Sequence, residues 1–195
     1  MTDAVALTTS DQPGERLMDA PTLARTIARL AHEVSERHPG LDRLVLAGIR
    51  EGGVPLAGAL AAALDEISGR RPPVIAVDVA GYRDDRPRPA ERPQGTLEAL
   101  AAGSAPGPVE ITGRVVVLID DVLHTGRTLR AALDALADHG RPAAVEPLVL
   151  FDRGQRELPL RATFVGRNVP VGAGRWVEVA LDPGTAECGA WLVNR

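Results

Sequence analysis

Asp120 and Asp121 stand side by side at the end of the apolar run "VVVLID", and three residues later the chain reads Thr125-Gly126-Arg127-Thr128. Two carboxylates at the rim of a buried strand can accept hydrogen bonds from the neighbouring hydroxyls of a sugar, or support a magnesium ion. The turn that follows opens a helix. Free N–H groups and the positive dipole end at such a start favour a phosphate, Gly126 lets the ligand approach the backbone, and Thr125 and Thr128 add hydroxyl donors. Carboxylates beside a phosphate cradle point to a sugar phosphate. The plain alternative is that Asp121 merely caps the helix, which leaves the Thr-Gly-Arg-Thr continuation without a purpose.

Two other loops carry unusual residues. "GIREGGVP" (48–55) follows the apolar run 44–49, and "GYRDDRP" (81–87) follows the run 74–80. Taken alone, the glycines of the first loop are ordinary turn residues. They gain meaning from the elements that carry them. From Pro21, a good first helical residue, Leu23, Ile27, Leu30, Ala31 and Val34 recur at helical spacing up to Pro39-Gly40. Apolar runs at 44–49, 74–80, 115–120 and 144–152 alternate with helical patterns at about 55–67 and 126–140, and extended pieces at 162–170 and 176–181 finish the fold. Alternating apolar strands and helices predict an α/β fold with a central parallel sheet covered on both faces. Ligands of such sheets bind beyond the carboxyl ends of the strands, where all three loops fall. Residues 1–18 read as a polar tail, 19–195 as a single domain, and the Arg/Pro/Gly-rich stretch 81–110 as a mobile hood loop.

Composition narrows the chemistry. The chain has 195 residues, a formal net charge of -4 and no lysine, which excludes a Schiff-base lysine and argues against indiscriminate nucleic-acid binding. The one cysteine, Cys188, allows no intrachain disulfide and no cysteine zinc cage, and reads as a small hydrophobe. No run of about eighteen apolar residues and no basic-then-apolar leader is present, so a cytoplasmic protein is expected. Trp176 and Trp191 read as core or interface residues, and Tyr82 as a hood aromatic or closed-state contact.

The stretch "VVVLIDDVLHTGRT" resembles the phosphoribosyl diphosphate (PRPP) motif of type I phosphoribosyltransferases. The resemblance implies that fold, with a small hood and flexible loop. It implies that Asp120 and Asp121 hold the ribose hydroxyls, that His124, Thr125, Gly126, Arg127 and Thr128 hold the 5'-phosphate, and that Val122 and Leu123 between them also belong to the substrate-binding segment. Gly48, Ile49, Arg50, Gly52 and Gly53 would form the diphosphate loop, with Arg50 facing the leaving group. Arg83 would reach the diphosphate from the hood, Asp84 and Asp85 beside it would be further substrate-binding residues, and Mg2+ would accompany PRPP through ligands the sequence does not name.

Further segments, "DRGQRELPLRA" and "VGRNVP" among them, are similar over residues 22–181 to the bacterial bifunctional regulators of pyrimidine operon attenuation that are also uracil phosphoribosyltransferases. That narrower resemblance implies transfer of a ribosyl group from PRPP to uracil, giving UMP and diphosphate, with Val169 near the base. It also implies UMP-dependent binding to leader mRNA of pyrimidine genes through Arg29, His32, Arg141, Arg153, Arg156, Arg161 and Arg167, and a homodimer or dimer of dimers. His124 stands where the family usually has tyrosine, Gln155 where it has histidine, and Ala28 where a polar residue is usual. Two other readings remain: an RNA-binding regulator that keeps the pocket as a nucleotide sensor, and a type I enzyme for another base.

Overall fold

The computed structural model describes residues 14–82, 99–100, 108–172, 174–181 and 188–194. Five parallel strands form the main sheet: β2 (Leu44–Ile49), β3 (Val74–Val77), β4 (Val115–Leu123), β5 (Ala144–Asp152) and β6 (Phe164–Asn168), in the order β3-β2-β4-β5-β6. Helices α1 (Ala20–Arg37), α2 (Gly53–Ser68) and α3 (Arg127–His139) supply its cover. All six residues of β2 are buried, as expected for a central strand covered on both faces. Period-two alternation splits the core. Leu44 and Leu46 of β2, Val117 and Ile119 of β4, and Leu148 and Leu150 of β5 pack with α1 and α2. Val45 and Ala47, Val116 and Leu118, and Val149 face the other way, onto Leu129, Ala132 and Leu136 of α3.

The α1 face Leu23, Ile27, Leu30, Ala31 and Val34 is buried as its spacing predicts, and Asp19 caps the helix by accepting from the Thr22 N–H at 2.9 Å. α2 ends at Gly69, whose φ of 65° supplies the left-handed stop. β3 is three residues shorter than expected because the Asp78 carboxylate takes the Ala80 N–H at 2.9 Å, closing a local turn in place of a ladder bond.

A second sheet differs from expectation. β1 (Glu15–Asp19) falls mostly within the stretch 1–18 read as a tail, and β8 (Gly189–Asn194) lies beyond the last extended piece expected, 176–181. They pair antiparallel with each other and with β7 (Arg175–Ala180) in the order β1-β8-β7. Met18, Val177, Ala190 and Leu192 of this sheet are buried in the α1/α2-side core. Strand pairing between the two chain ends leaves no local signal, since neither segment buries much until the other arrives.

Of the stretch 81–110, residues 83–98 and 101–107 lie outside the described residues. Its described parts are anchored. Leu100 N–H donates to Val74 O at 2.7 Å beside a bridge between Ile75 and Ala99. Tyr82 is 5 % exposed, packs on the α3 side and donates its hydroxyl to Asp138 at 2.8 Å, so it is a core residue and not a contact of a closing loop. Cys188 is half-buried and free. No helix among the described residues is long and apolar enough to cross a membrane.

Candidate active site

The carboxyl end of β4 runs out of the core into the acidic pair. Asp120 is buried at 8 % exposure and its Oδ1 accepts the Asp121 N–H at 3.1 Å. Asp121 is half-buried, and its Oδ1 accepts the Val122 N–H at 2.8 Å. Burial pushes the Asp121 carboxyl above the usual carboxylate range; its hydrogen bonds with Asp120 and the Val122 N–H oppose the rise, and the nearby Glu51 charge adds to it. The chain then turns through Gly126, whose φ of 93° places it in the left-handed region and which has no side chain to cap α3; the Arg127 N–H donates to Thr125 Oγ1 at 3.4 Å. The positive dipole end of α3 faces this turn, where an anion is favoured.

Above this strand-turn-helix lies an open cleft of about 470 Å³. Its wall contains residues 120–128, Arg153 and Glu157 from the loop after β5, and Trp176 and Val177 from β7. Glu157 closes on Arg127, its Oε2 accepting from Arg127 Nε at 2.8 Å, while Glu157 N–H and Leu158 N–H both donate to Thr125 O at 3.0 and 3.1 Å. The loop after β5 therefore braces the turn at Thr125–Arg127. His124 Nε2 lies 3.2 Å from Gln155 Oε1, so two departures from the family pattern meet each other.

The loop 50–53 meets the acidic pair from the β2 side. A Cβ on Gly52 would lie 2.5 Å from the Asp121 carboxylate, and one on Gly53 would overlap the Ile119 carbonyl oxygen. Gly48 admits the backbone of Gly53 and Val54 in the same way, at 2.8 and 2.7 Å from an added Cβ. These glycines are needed for close approach of the chain to β4. Arg50 is exposed and 3.8 Å from Asp78, and the Arg50–Glu51 peptide is cis. The ends of β2, β3 and β4 thus converge. Ile49 is an exception among the residues assigned to this loop, for its side chain is 1 % exposed and packs in the core with α3.

Other expected site residues fall elsewhere. Arg83, Asp84 and Asp85 lie outside the described residues. Val169 is buried, donates its N–H to Asp152 O at 2.8 Å and is not part of the cleft wall. The arginines assigned to RNA do not form one face. Arg153 is 4 % exposed and belongs to the cleft. Arg156 is half-buried, pairs with Asp152 at 2.5 Å and donates to His124 O at 2.8 Å and Leu160 O at 3.1 Å, tying the loop after β5 to the phosphate turn. Arg141 precedes β5 while Arg161 follows its far end, so a nine-residue strand of roughly 30 Å separates them. Arg29, exposed on α1, pairs with Glu33 and donates to Val165 O and Gly166 O, beside exposed Arg167 of β6. His32 and Ala28 are exposed on the same helix. Trp176, read from sequence as core or interface, is 43 % exposed on the cleft wall. Neither Trp176 nor Glu157 was legible as a site residue, because each comes from an element whose place beside the turn is set only by packing.

The phosphoribosyl transferase domain family model matches residues 13–183. A bifunctional protein PyrR of Geobacter sulfurreducens is 48% identical over 87% of this chain and 92% of its own length, and one of Roseiflexus sp. is 51% identical over 80% and 81%. The chain belongs to the PyrR family of phosphoribosyl transferase domain proteins. PyrR from Chloroflexus aurantiacus is 48% identical over 86% of the chain and 88% of its length. Among solved structures, a hypoxanthine-guanine phosphoribosyltransferase of Bacillus anthracis superposes with a TM-score of 0.65 at 20% identity, covering 93% of this chain and 99% of that one. A Trypanosoma cruzi hypoxanthine phosphoribosyltransferase gives 0.68 at 20% identity over 95% and 97%. At that identity the likeness bears on the fold, which is that of type I phosphoribosyltransferases.

The Asp121 shift has a sign that can be tested. With its folded value raised, the protonated form is favoured by the fold, so Asp121's stabilising contribution is present below the unfolded value of 3.8 and is lost as pH rises through the raised one. Ribose hydroxyls and a cation favour the ionised form, so PRPP affinity should rise over the same window. Calorimetric titration of PRPP from neutrality into the acid range should show weakening as pH falls that is flattened in Asp121→Asn.

Proposed function

We propose that this chain, over residues 19–195 as one domain, is a cytoplasmic uracil phosphoribosyltransferase that also binds leader mRNA of pyrimidine genes when UMP occupies its cleft. The observation that supports the reading is the close approach of Gly52 to the Asp121 carboxylate, next to a cleft walled by residues 120–128 at the start of α3. The bifunctional description of the relatives supports the double role.

In this reading the amides and hydroxyls of 124–128 hold the 5'-phosphate, Asp120 and Asp121 accept from the two ribose hydroxyls, and residues 50–53 face the diphosphate with Arg50 and Arg83. Rupture of the C1'–diphosphate bond builds positive charge on the ribose and negative charge on the leaving group. Carboxylates beneath the sugar and guanidinium groups beside the diphosphate are worth most as that separation develops. Uracil N1 then bonds to C1' as the C1'–diphosphate bond breaks, and its proton passes to the released diphosphate or to solvent, so the chain needs no nucleophile of its own.

Among the described residues no cluster of three or more acidic, histidine or cysteine side chains makes a metal cage. Two adjacent carboxylates fit Mg2+ delivered on PRPP, since that ion keeps several waters and takes one or two carboxylates together with substrate phosphates. When bound it would neutralise diphosphate charge. For RNA, the exposed residues Arg29, His32, Arg141, Arg161 and Arg167 remain as contacts, and the family's dimer or dimer of dimers would bring copies of them together. The test is conversion of labelled uracil with Mg2+ and PRPP. UMP should accumulate; consumption of hypoxanthine or orotate with uracil inert would replace uracil by another base.

A further inference from the structure

Among the described residues, Asp120, Asp121 and Glu157 put carboxylates into the wall of the cleft. In the transferase reading the first two take the ribose hydroxyls. Glu157 stands at the phosphate end, where a negative charge opposes the ligand that the turn favours. Its Oε2 accepts from Arg127 Nε at 2.8 Å and lies 2.7 Å from Arg127 Nη2, so the guanidinium at the first position of α3 faces a carboxylate of the protein itself. Folding gains little from that contact, because the two side chains are 43 % and 52 % exposed and such pairs are close to neutral for stability. The brace on the turn does not need the carboxylate either. It comes from the backbone, through the Glu157 and Leu158 N–H groups that donate to Thr125 O, and any residue other than proline at 157 would supply the first of them.

What the Glu157 carboxylate changes is the charge that the cleft offers to a phosphate. We propose that Glu157 is a built-in competitor for the 5'-phosphate: it holds the Arg127 guanidinium in the empty cleft, and a nucleotide or PRPP must draw Arg127 away from it on binding. A cation and an anion side by side exert little net pull, so Arg127 adds to phosphate affinity only as far as the ligand outcompetes Glu157. The phosphate end is then held by amides and threonine hydroxyls and stays exchangeable. A cleft that releases UMP as product and fills with it as effector works only if that affinity is moderate, and Glu157 is the residue that keeps it so. This inference rests on the transferase reading and adds to it the residue that sets how tightly the phosphate is held.

The test compares UMP with uridine, which lacks the phosphate, by calorimetry on the full chain. Glu157→Gln keeps the shape of the side chain and removes its charge. It should tighten UMP by about 3- to 10-fold at low salt, leave uridine within about twofold, and lose most of the gain at about 0.5 M salt. Arg127→Gln leaves Glu157 unopposed beside the phosphate and should weaken UMP by about tenfold or more, and adding Glu157→Gln to it should recover most of that loss. UMP affinity unchanged or weakened in Glu157→Gln, an equal gain for UMP and uridine, or a double variant as weak as Arg127→Gln alone overturns the inference, while UMP binding by the unaltered protein leaves the transferase reading standing. If the unaltered protein binds neither UMP nor PRPP, the transferase reading falls and the inference falls with it.

Discussion

Asp121→Asn is expected to lower kcat/KM for UMP formation by roughly 10- to 100-fold while leaving the fold as stable as before, or more so. The loss corresponds to about 1.5–3 kcal/mol, the usual worth of hydrogen bonds to a charged acceptor. The stability side follows from burial, which raises the carboxyl pKa and so makes the ionised group a cost to the empty protein above that value. Asn is nearly isosteric and can keep the Val122 N–H bond through its amide oxygen. Steady-state kinetics beside a thermal melt decides the matter. A variant that loses activity and stability together would mark Asp121 as structural, and full activity would remove it from the ribose site.

Gly53→Ala should fail for a different reason. Its Cβ would overlap the Ile119 carbonyl oxygen, which is strand backbone in the middle of the sheet and cannot give way as a side-chain tip can. Overpacking of this kind costs about 1–3 kcal/mol or more, which for a chain of this size lowers Tm by roughly 2–4 °C per kcal/mol. Pushing α2 away from β4 also moves Gly52 off Asp121, so PRPP affinity should fall with stability. Gly58, within the same helix, has nothing within 4 Å of an added Cβ, and Gly58→Ala should stabilise by up to about 1 kcal/mol through helix propensity alone. Melts of the two variants side by side separate steric exclusion at the strand from a general effect of alanine in α2. Equal Tm shifts would contradict the account.

The Asp120–Thr128 segment was readable because everything it needs is local. The apolar run makes the strand, the carboxylates fall where burial ends, and Gly126 and the start of α3 follow at once in sequence. The glycines of 48–53 were readable as a turn only. Their reason, contact with Ile119 O and Asp121, depends on β2 and β4 being neighbours in the sheet.

The arginines mark the limit most clearly. Arg153 and Arg156 stand three residues apart in a segment that looks uniformly polar, yet one is buried against an indole and the other spans from Asp152 to the phosphate turn. By itself the sequence determined the parallel α/β sheet, the acidic pair and the turn into α3 at Gly126, since hydrophobic period and turn chemistry are properties of neighbouring residues. Tertiary structure alone decided that the two chain ends form one sheet with β7, that Trp176 reaches the cleft, and which arginines face solvent. These depend on pairing between segments far apart in the chain, where a side chain's surroundings are set by what arrives from elsewhere.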